Sequence, residues 1–204
     1  MNLPNKLTVA RFIMALAFVV LMSFRHSACY VLAYLLFIVA TLTDYYDGKI
    51  ARARDIVTNF GKLLDPVADK VLVIGALIML MTMPELRVPG WTVVVIIARE
   101  FLITGARALA ASGGSVIGAN IWGKTKAVIQ MVYVFVFLAA AVIVRFLESH
   151  QEATDWLPTL LSYARPVVGA ASCWAIVFVA LFTIYSGFQF MRINWGALNL
   201  GSDL

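Results

Sequence analysis

Apolar positions along the chain gather into six runs, at about 7–24, 29–47, 66–84, 88–109, 126–147 and 166–190, with most polar residues at the joints between them. About 20 apolar residues are enough to cross a bilayer as a helix. The pattern therefore predicts an all-α integral membrane protein, a six-transmembrane-helix bundle. Short joints at 25–28 and 84–89, the second carrying Pro and Gly, predict tight antiparallel neighbours. The joint at 148–165, ESHQEATDWLPTLLSYAR, is longer and polar at its start. Trp91, Trp156, Tyr163 and Trp195 read as interfacial anchors. Pro66 disfavours helix at Asp65. The third helix therefore either begins near Leu63, with Pro66 in its first turn, or begins earlier and kinks there.

Composition agrees with the pattern: 62% of the 204 residues are hydrophobic, 13% are charged, and the mean hydropathy is +0.91. No internal repeat, low-complexity tract or linker divides the chain, so a single membrane domain over 1–204 is expected. Lys6 and Arg11 ahead of a short apolar run also fit a signal peptide, but another span follows at once with no clear small-residue cleavage site. Cys29 and Cys173 lie in or beside different spans, without the spacing of a zinc site or grounds for a disulfide.

Charge orients the bundle. With six spans and both termini on one side, that side receives twelve of the sixteen Lys and Arg residues, leaving Arg25, Arg87, Arg145 and Arg165 opposite. The positive-inside rule then puts both termini in the cytoplasm of a multi-pass protein of the cell (inner) membrane. The net charge of +5 reflects this topology and anionic substrates, since no basic patch interleaved with aromatics suggests nucleic acid. His26 and His150 fall on the outer side as loop residues.

The stretch 44–70, DYYDGKIARARDIVTNFGKLLDPVADK, holds five of the eleven acids, four of them at fixed intervals: Asp44, Asp47, Asp65 and Asp69. Asp44, Asp47, Gly48, Ala51 and Arg52 share one side of a helix, and Gly61, Asp65 and Asp69 share one side of the next. A carboxylate at the bilayer centre costs on the order of 3 kcal/mol, and four converging carboxylates repel one another. Divalent cations remove both problems. All-oxygen ligands with no Cys or His close in sequence suit two ions of Mg²⁺ or Mn²⁺, a clamp for phosphoryl chemistry. The structural alternative is an acidic cluster paired with Lys49, Arg52, Arg54, Lys62 and Lys70, which leaves the glycines and the intervals unexplained.

The same run fits D-x2-D-G-x2-A-R-x8-G-x3-D-x3-D, and so resembles the signature of the CDP-alcohol phosphotransferase family. The resemblance implies that Asp44, Asp47 and Asp65 hold one metal ion, with Asp44, Asp65 and Asp69 around a second. Asp69 would also be the catalytic base on the acceptor hydroxyl. Gly48, Arg52 and Thr58 would contact the CDP part of the donor lipid. A missing Cβ at Gly48 lets a nucleotide approach the backbone, and Arg52 offers a charged fork to a phosphate. The opening PNKLTVAR resembles the phosphatidylglycerophosphate synthase branch, which adds Asn5 and Thr8 to the CDP-diacylglycerol site. Simple helix capping explains either residue equally well.

A second basic group, Arg99, Arg107, Lys124 and Lys126, flanks a Gly-rich turn at Gly113–Gly114. Each cation alone is explained by topology. AREFLITGAR and WGKTKAVIQ resemble the same branch, however, and together Arg107, Lys124 and Lys126 are candidates for holding the acceptor's phosphate, which a helix start would also favour. Glu100 is expected to pair with Arg99, though a membrane acid warrants suspicion, and Asp55 is off the motif spacing.

The resulting expectation is a bundle whose first three helices enclose a polar, cytoplasm-facing cavity. The activity implied by the resemblance is phosphatidyl transfer from CDP-diacylglycerol to sn-glycerol 3-phosphate, releasing CMP, by a homodimer in the lipid bilayer. Phosphatidylglycerol, inositol phosphate or serine are alternative acceptors. A divalent-cation transporter is the alternative of a different class, and it would spread its acids along the membrane depth.

Overall fold

Each apolar run folds as one helix: α1 (Leu3–Ser23), α2 (Ser27–Arg54), α3 (Asn59–Met81), α4 (Gly90–Ser112), α5 (Ile121–Ser149) and α6 (Leu157–Asn194). The computed structural model describes the backbone of residues 3–24, 26–54, 59–113, 117–118 and 120–196, and the side chains of 8–24, 26–43, 70–113, 117–118, 120–152 and 154–196. Among the described residues the only other elements are single 3₁₀ turns at Pro84–Leu86 and Gln151–Ala153. By length and composition α5 and α6 can each cross a membrane, and Thr8–Ser23, Ser27–Thr43 and Lys70–Met81 are shorter apolar stretches.

α1 and α2 pack closely across their short joint, but the close neighbours expected across 84–89 are a correction: α3 and α4 share few contacts, and α4 packs mainly on α6. Residues 82–89 turn the chain through the 3₁₀ turn and through Arg87, whose φ of 49° is left-handed. α3 begins at Asn59, so the earlier of the two starts holds and Pro66 lies inside the helix. The long polar joint expected at 148–165 is a correction: α5 runs on to Ser149, and α6 starts at Leu157 rather than 166. Leu157 and Leu161, one turn apart, bury against Val144 and Leu147 at the end of α5. Arg165 pairs with Glu148 of α5 at 2.8 Å. These contacts offset the amide hydrogen bond that Pro166 removes from the interior of α6.

α1 packs on α2 and α3, α5 on α6 and α2, and α4 on α6. Phe18 of α1, Phe37 of α2 and Phe135 of α5 tie three helices together, with ring centroids 5.6 Å and 5.1 Å apart in sequence. Gly169 of α6 lets the chain before α4 cross close by, because a Cβ there would meet the Glu85 carbonyl oxygen at 2.7 Å. The outward faces remain apolar, as at Trp174, Phe178, Leu181 and Phe188 of α6. Trp91, Trp156, Tyr163 and Trp195 are exposed, as interfacial anchors should be. Cys29 and Cys173 are free thiols, and His26 and His150 are exposed.

Candidate active-site cavity

The later part of α4, with Arg99 and Arg107, and the start of α5, with Lys126, meet. A cavity of about 500 Å³ opens there, lined by residues of α1 to α5 and not of the first three helices alone. Among the described residues, Arg11, Lys70, Arg99, Arg107 and Lys126 are its five cationic side chains and Glu100 is its single acid. Thr41, Thr104 and Gln130 supply further polar groups. A group of cations this dense in a largely apolar bundle calls for an anion.

Among the described residues, part of this charge is paired internally. Lys126, almost fully buried, donates to Oε1 of Glu100 at 2.5 Å. Arg99 Nη1 donates to the same oxygen at 3.0 Å, and its Nη2 donates to Ser186 Oγ at 2.9 Å. Lys70 bonds the Thr104 hydroxyl. Arg107 lies over the Phe190 ring, 5.3 Å from its centroid. The Nε groups of Arg99 and Arg107 and Oε1 of Gln130 are nevertheless buried with no hydrogen-bond partner among the described residues. An orphaned buried donor of this kind costs about 1–3 kcal/mol, which a bound oxyanion would relieve.

The opposite end carries a different arrangement. Arg145 clasps both oxygens of Glu85, at 2.8 Å and 3.1 Å, and also reaches Glu148 at 3.3 Å. Arg87, Arg145 and Arg165 line one groove there with Glu85 and Glu148. From Lys126 to Arg145 along α5 the rise is about 28 Å, close to the hydrocarbon thickness of a bilayer. Among the described residues, Arg11, Lys70, Arg99, Arg107 and Lys126 thus line one cavity and Arg87, Arg145 and Arg165 another, while Arg25 lies outside the described residues.

The residues expected from sequence fall as follows. Arg107 and Lys126 come together in the cavity, whereas Lys124, one residue pair away, is exposed and outside its lining. Asn120 caps α5 just before these lysines, its side chain accepting from the Gly123 amide at 2.8 Å. Thr8 is buried on α1, one turn before Arg11. Asp44, Asp47, Gly48 and Arg52 belong to α2, which continues past the lining residue Thr41. Asp65 and Asp69 belong to α3, just before the lining residue Lys70. The side chains of these six, and of Asn5, lie outside the described residues, as does Thr58 altogether. Arg11, Lys70, Glu100 and Gln130 were not among the expected site residues; the available signal was a charged or amide side chain within an apolar span.

The family profile described as CDP-alcohol phosphatidyltransferase matches residues 1–184. The chain is 37% identical to the CDP-diacylglycerol--glycerol-3-phosphate 3-phosphatidyltransferase of Bacillus subtilis (strain 168), over 97% of each chain. It is 36% identical to the protein of the same description from Rickettsia bellii (strain RML369-C), over 92% of this chain and 94% of the relative. A probable phosphatidylglycerophosphate synthase of Mycobacterium tuberculosis is 39% identical over 67% of this chain and 66% of its own. Apolar helices and outward-facing apolar side chains make the protein a membrane protein. It is an enzyme, and it belongs to the CDP-alcohol phosphatidyltransferase family.

Proposed function

We propose that the chain transfers a phosphatidyl group from CDP-diacylglycerol to sn-glycerol 3-phosphate, giving phosphatidylglycerophosphate and CMP. The observation that carries this reading is the near full-length similarity to relatives described by that activity, in a chain with the complete aspartate signature. The cavity supports the acceptor: glycerol 3-phosphate brings a phosphate dianion to a site whose described lining has five cations and one acid. Arg107 and Lys126, with Arg99, hold that phosphate. Arg99 and Arg107 have unused buried donors to offer it, and Lys126 has two further N–H groups beyond the one given to Glu100. Lys124 contributes at the rim.

Chemistry in this family is metal-dependent. The donor set suits hard divalent ions, because the lining has no Cys or His among the described residues and the signature supplies only carboxylates. Asp44, Asp47, Asp65 and Asp69 would hold two ions of Mg²⁺ or Mn²⁺, which supply neutralisation of the pyrophosphate and of the departing CMP. Gly48, Arg52 and Thr58, with Asn5 and Thr8, bind the CDP headgroup. Asp69 takes the proton of the acceptor hydroxyl as its oxygen attacks the β-phosphorus. The bond from that phosphorus to the CMP oxygen breaks, and CMP leaves.

Six membrane spans in one domain over 1–204, with both termini and the cavity facing the cytoplasm of the inner membrane, complete the reading. Shared core packing across all six helices supports the single domain, and the segregation of basic residues supports the orientation. A homodimer in the bilayer is the proposed assembly. In a purified preparation CMP release should require CDP-diacylglycerol, glycerol 3-phosphate and a divalent cation together. Release that proceeds equally well without glycerol 3-phosphate contradicts the reading.

A further inference from the structure

The last turns of α6 make a wall behind the two cavity arginines of α4. Ser186 is fully buried and accepts from Arg99 Nη2 at 2.9 Å. Gly187, the next residue, leaves room for the Arg99 stem: a Cβ there would lie 3.2 Å from Arg99 Cγ. One turn on from Ser186, Phe190 is 1% exposed and presents its ring to the Arg107 guanidinium, 5.3 Å from centroid to Cζ. The same stretch of α6 keys the helix that carries Lys126, because Tyr185 meets Trp122 of α5 edge-on with centroids 5.1 Å apart. The family profile ends at residue 184, so Ser186, Gly187 and Phe190 all lie past its last matched position.

We infer that Ser186, Gly187 and Phe190 are positioning residues for the acceptor, fixing Arg99 and Arg107 in the geometry that receives a phosphomonoester. The inference rests on the acceptor-phosphate reading above. A long, flexible guanidinium gains selectivity when its rotamer is set before the ligand arrives, since less freedom is lost on binding. A ring face and a hydroxyl suit that purpose. Neither neutralises the cation, so its charge stays available to the phosphate. A carboxylate in either place would compete with the substrate. The contacts that Ser186, Gly187 and Phe190 make here are with Arg99 and Arg107, the arginines assigned to the acceptor, so their effect should fall on the acceptor.

The experiment is steady-state kinetics on the purified full-length chain with CDP-diacylglycerol, Mg²⁺ and glycerol 3-phosphate, the two substrates titrated separately. Arg99→Ala and Arg107→Ala are measured first, and each should raise the acceptor KM. Phe190→Leu and Ser186→Ala should each raise it by about 3- to 30-fold, with the donor KM unchanged. Phe190→Tyr, which keeps the ring, should restore it. In double-mutant cycles Phe190→Leu should add little to Arg107→Ala, and Ser186→Ala little to Arg99→Ala. Should Phe190→Leu not fold, the Ser186 and Arg99 cycle makes the same comparison through the loss of one oxygen. An unchanged acceptor KM in the α6 variants, beside a raised one in the arginine variants, overturns the positioning role alone. Undiminished additivity, or equal rises in both substrates' KM, also overturns it. Arginine variants with a normal acceptor KM remove the acceptor reading, and the inference with it.

Discussion

Lys126 on α5 is joined to Glu100 on α4 at 2.5 Å, inside the cavity, and Arg99 shares the same carboxylate oxygen. The two lysines near the start of α5 therefore differ in kind: Lys126 is buried against a fixed partner, and Lys124 faces out. A charged hydrogen bond to a phosphate in such a site contributes about 1.5–3 kcal/mol. Lys126→Ala should thus raise the acceptor KM roughly 10- to 100-fold and scarcely move the donor KM. Lys124→Ala should have a much smaller effect. Titrating each substrate against both variants separates the two lysines; equal effects would mean that burial in the cavity does not distinguish them.

Metal dependence provides the second expectation. Asp44→Asn, Asp47→Asn and Asp65→Asn should each lower activity by orders of magnitude, and Asp55→Asn should be nearly silent. Chelation should abolish turnover, with Mg²⁺ or Mn²⁺ restoring it. Full activity in excess EDTA would falsify the two-ion reading.

The base and the donor site should separate in binding and turnover. Asp69→Asn should bind CDP-diacylglycerol almost normally and fail to turn over, because the base acts on the acceptor. Arg52→Ala should lose donor affinity. Equilibrium binding of the donor beside single-turnover kinetics tests this, and the same donor-affinity loss in both variants, with normal turnover at saturation, would contradict it.

At the far end of the bundle the Glu85 side chain is only 6% exposed and relies on Arg145, which is 31% exposed. Removing one partner of a buried pair leaves an uncompensated charge, and partial exposure of the arginine moderates the cost, so Arg145→Ala should destabilise by about 1–3 kcal/mol. Thermal unfolding in detergent should record a lower midpoint, while both KM values at the functional temperature stay normal. A shifted acceptor KM would mean that the two ends are coupled.

The helices were legible from the apolar runs, and the aspartate signature from its spacing, because both are local patterns. Where α6 begins was not, since its first two turns are held by Leu157, Leu161 and Arg165 meeting α5, contacts that no local pattern encodes. Arg107 and Lys126 could be grouped from sequence, but their distinction from Lys124 depends on the rotation of α5 against α4. The final third of the chain offered only an apolar span. Ser186 and Phe190 gain meaning through Arg99 and Arg107, some 80 to 90 positions earlier. Glu100 was expected to pair with Arg99, and it does; its link to Lys126 required the fold.

The central claim is that this chain delivers phosphatidyl groups to glycerol 3-phosphate. The most direct measurement is lipid product identity after purified protein is incubated with CDP-diacylglycerol and Mg²⁺ plus, in turn, glycerol 3-phosphate, serine, inositol phosphate or phosphatidylglycerol. Phosphatidylglycerophosphate should form with glycerol 3-phosphate, and no corresponding product with the other three. Equal or faster product formation with any of those three would contradict the account.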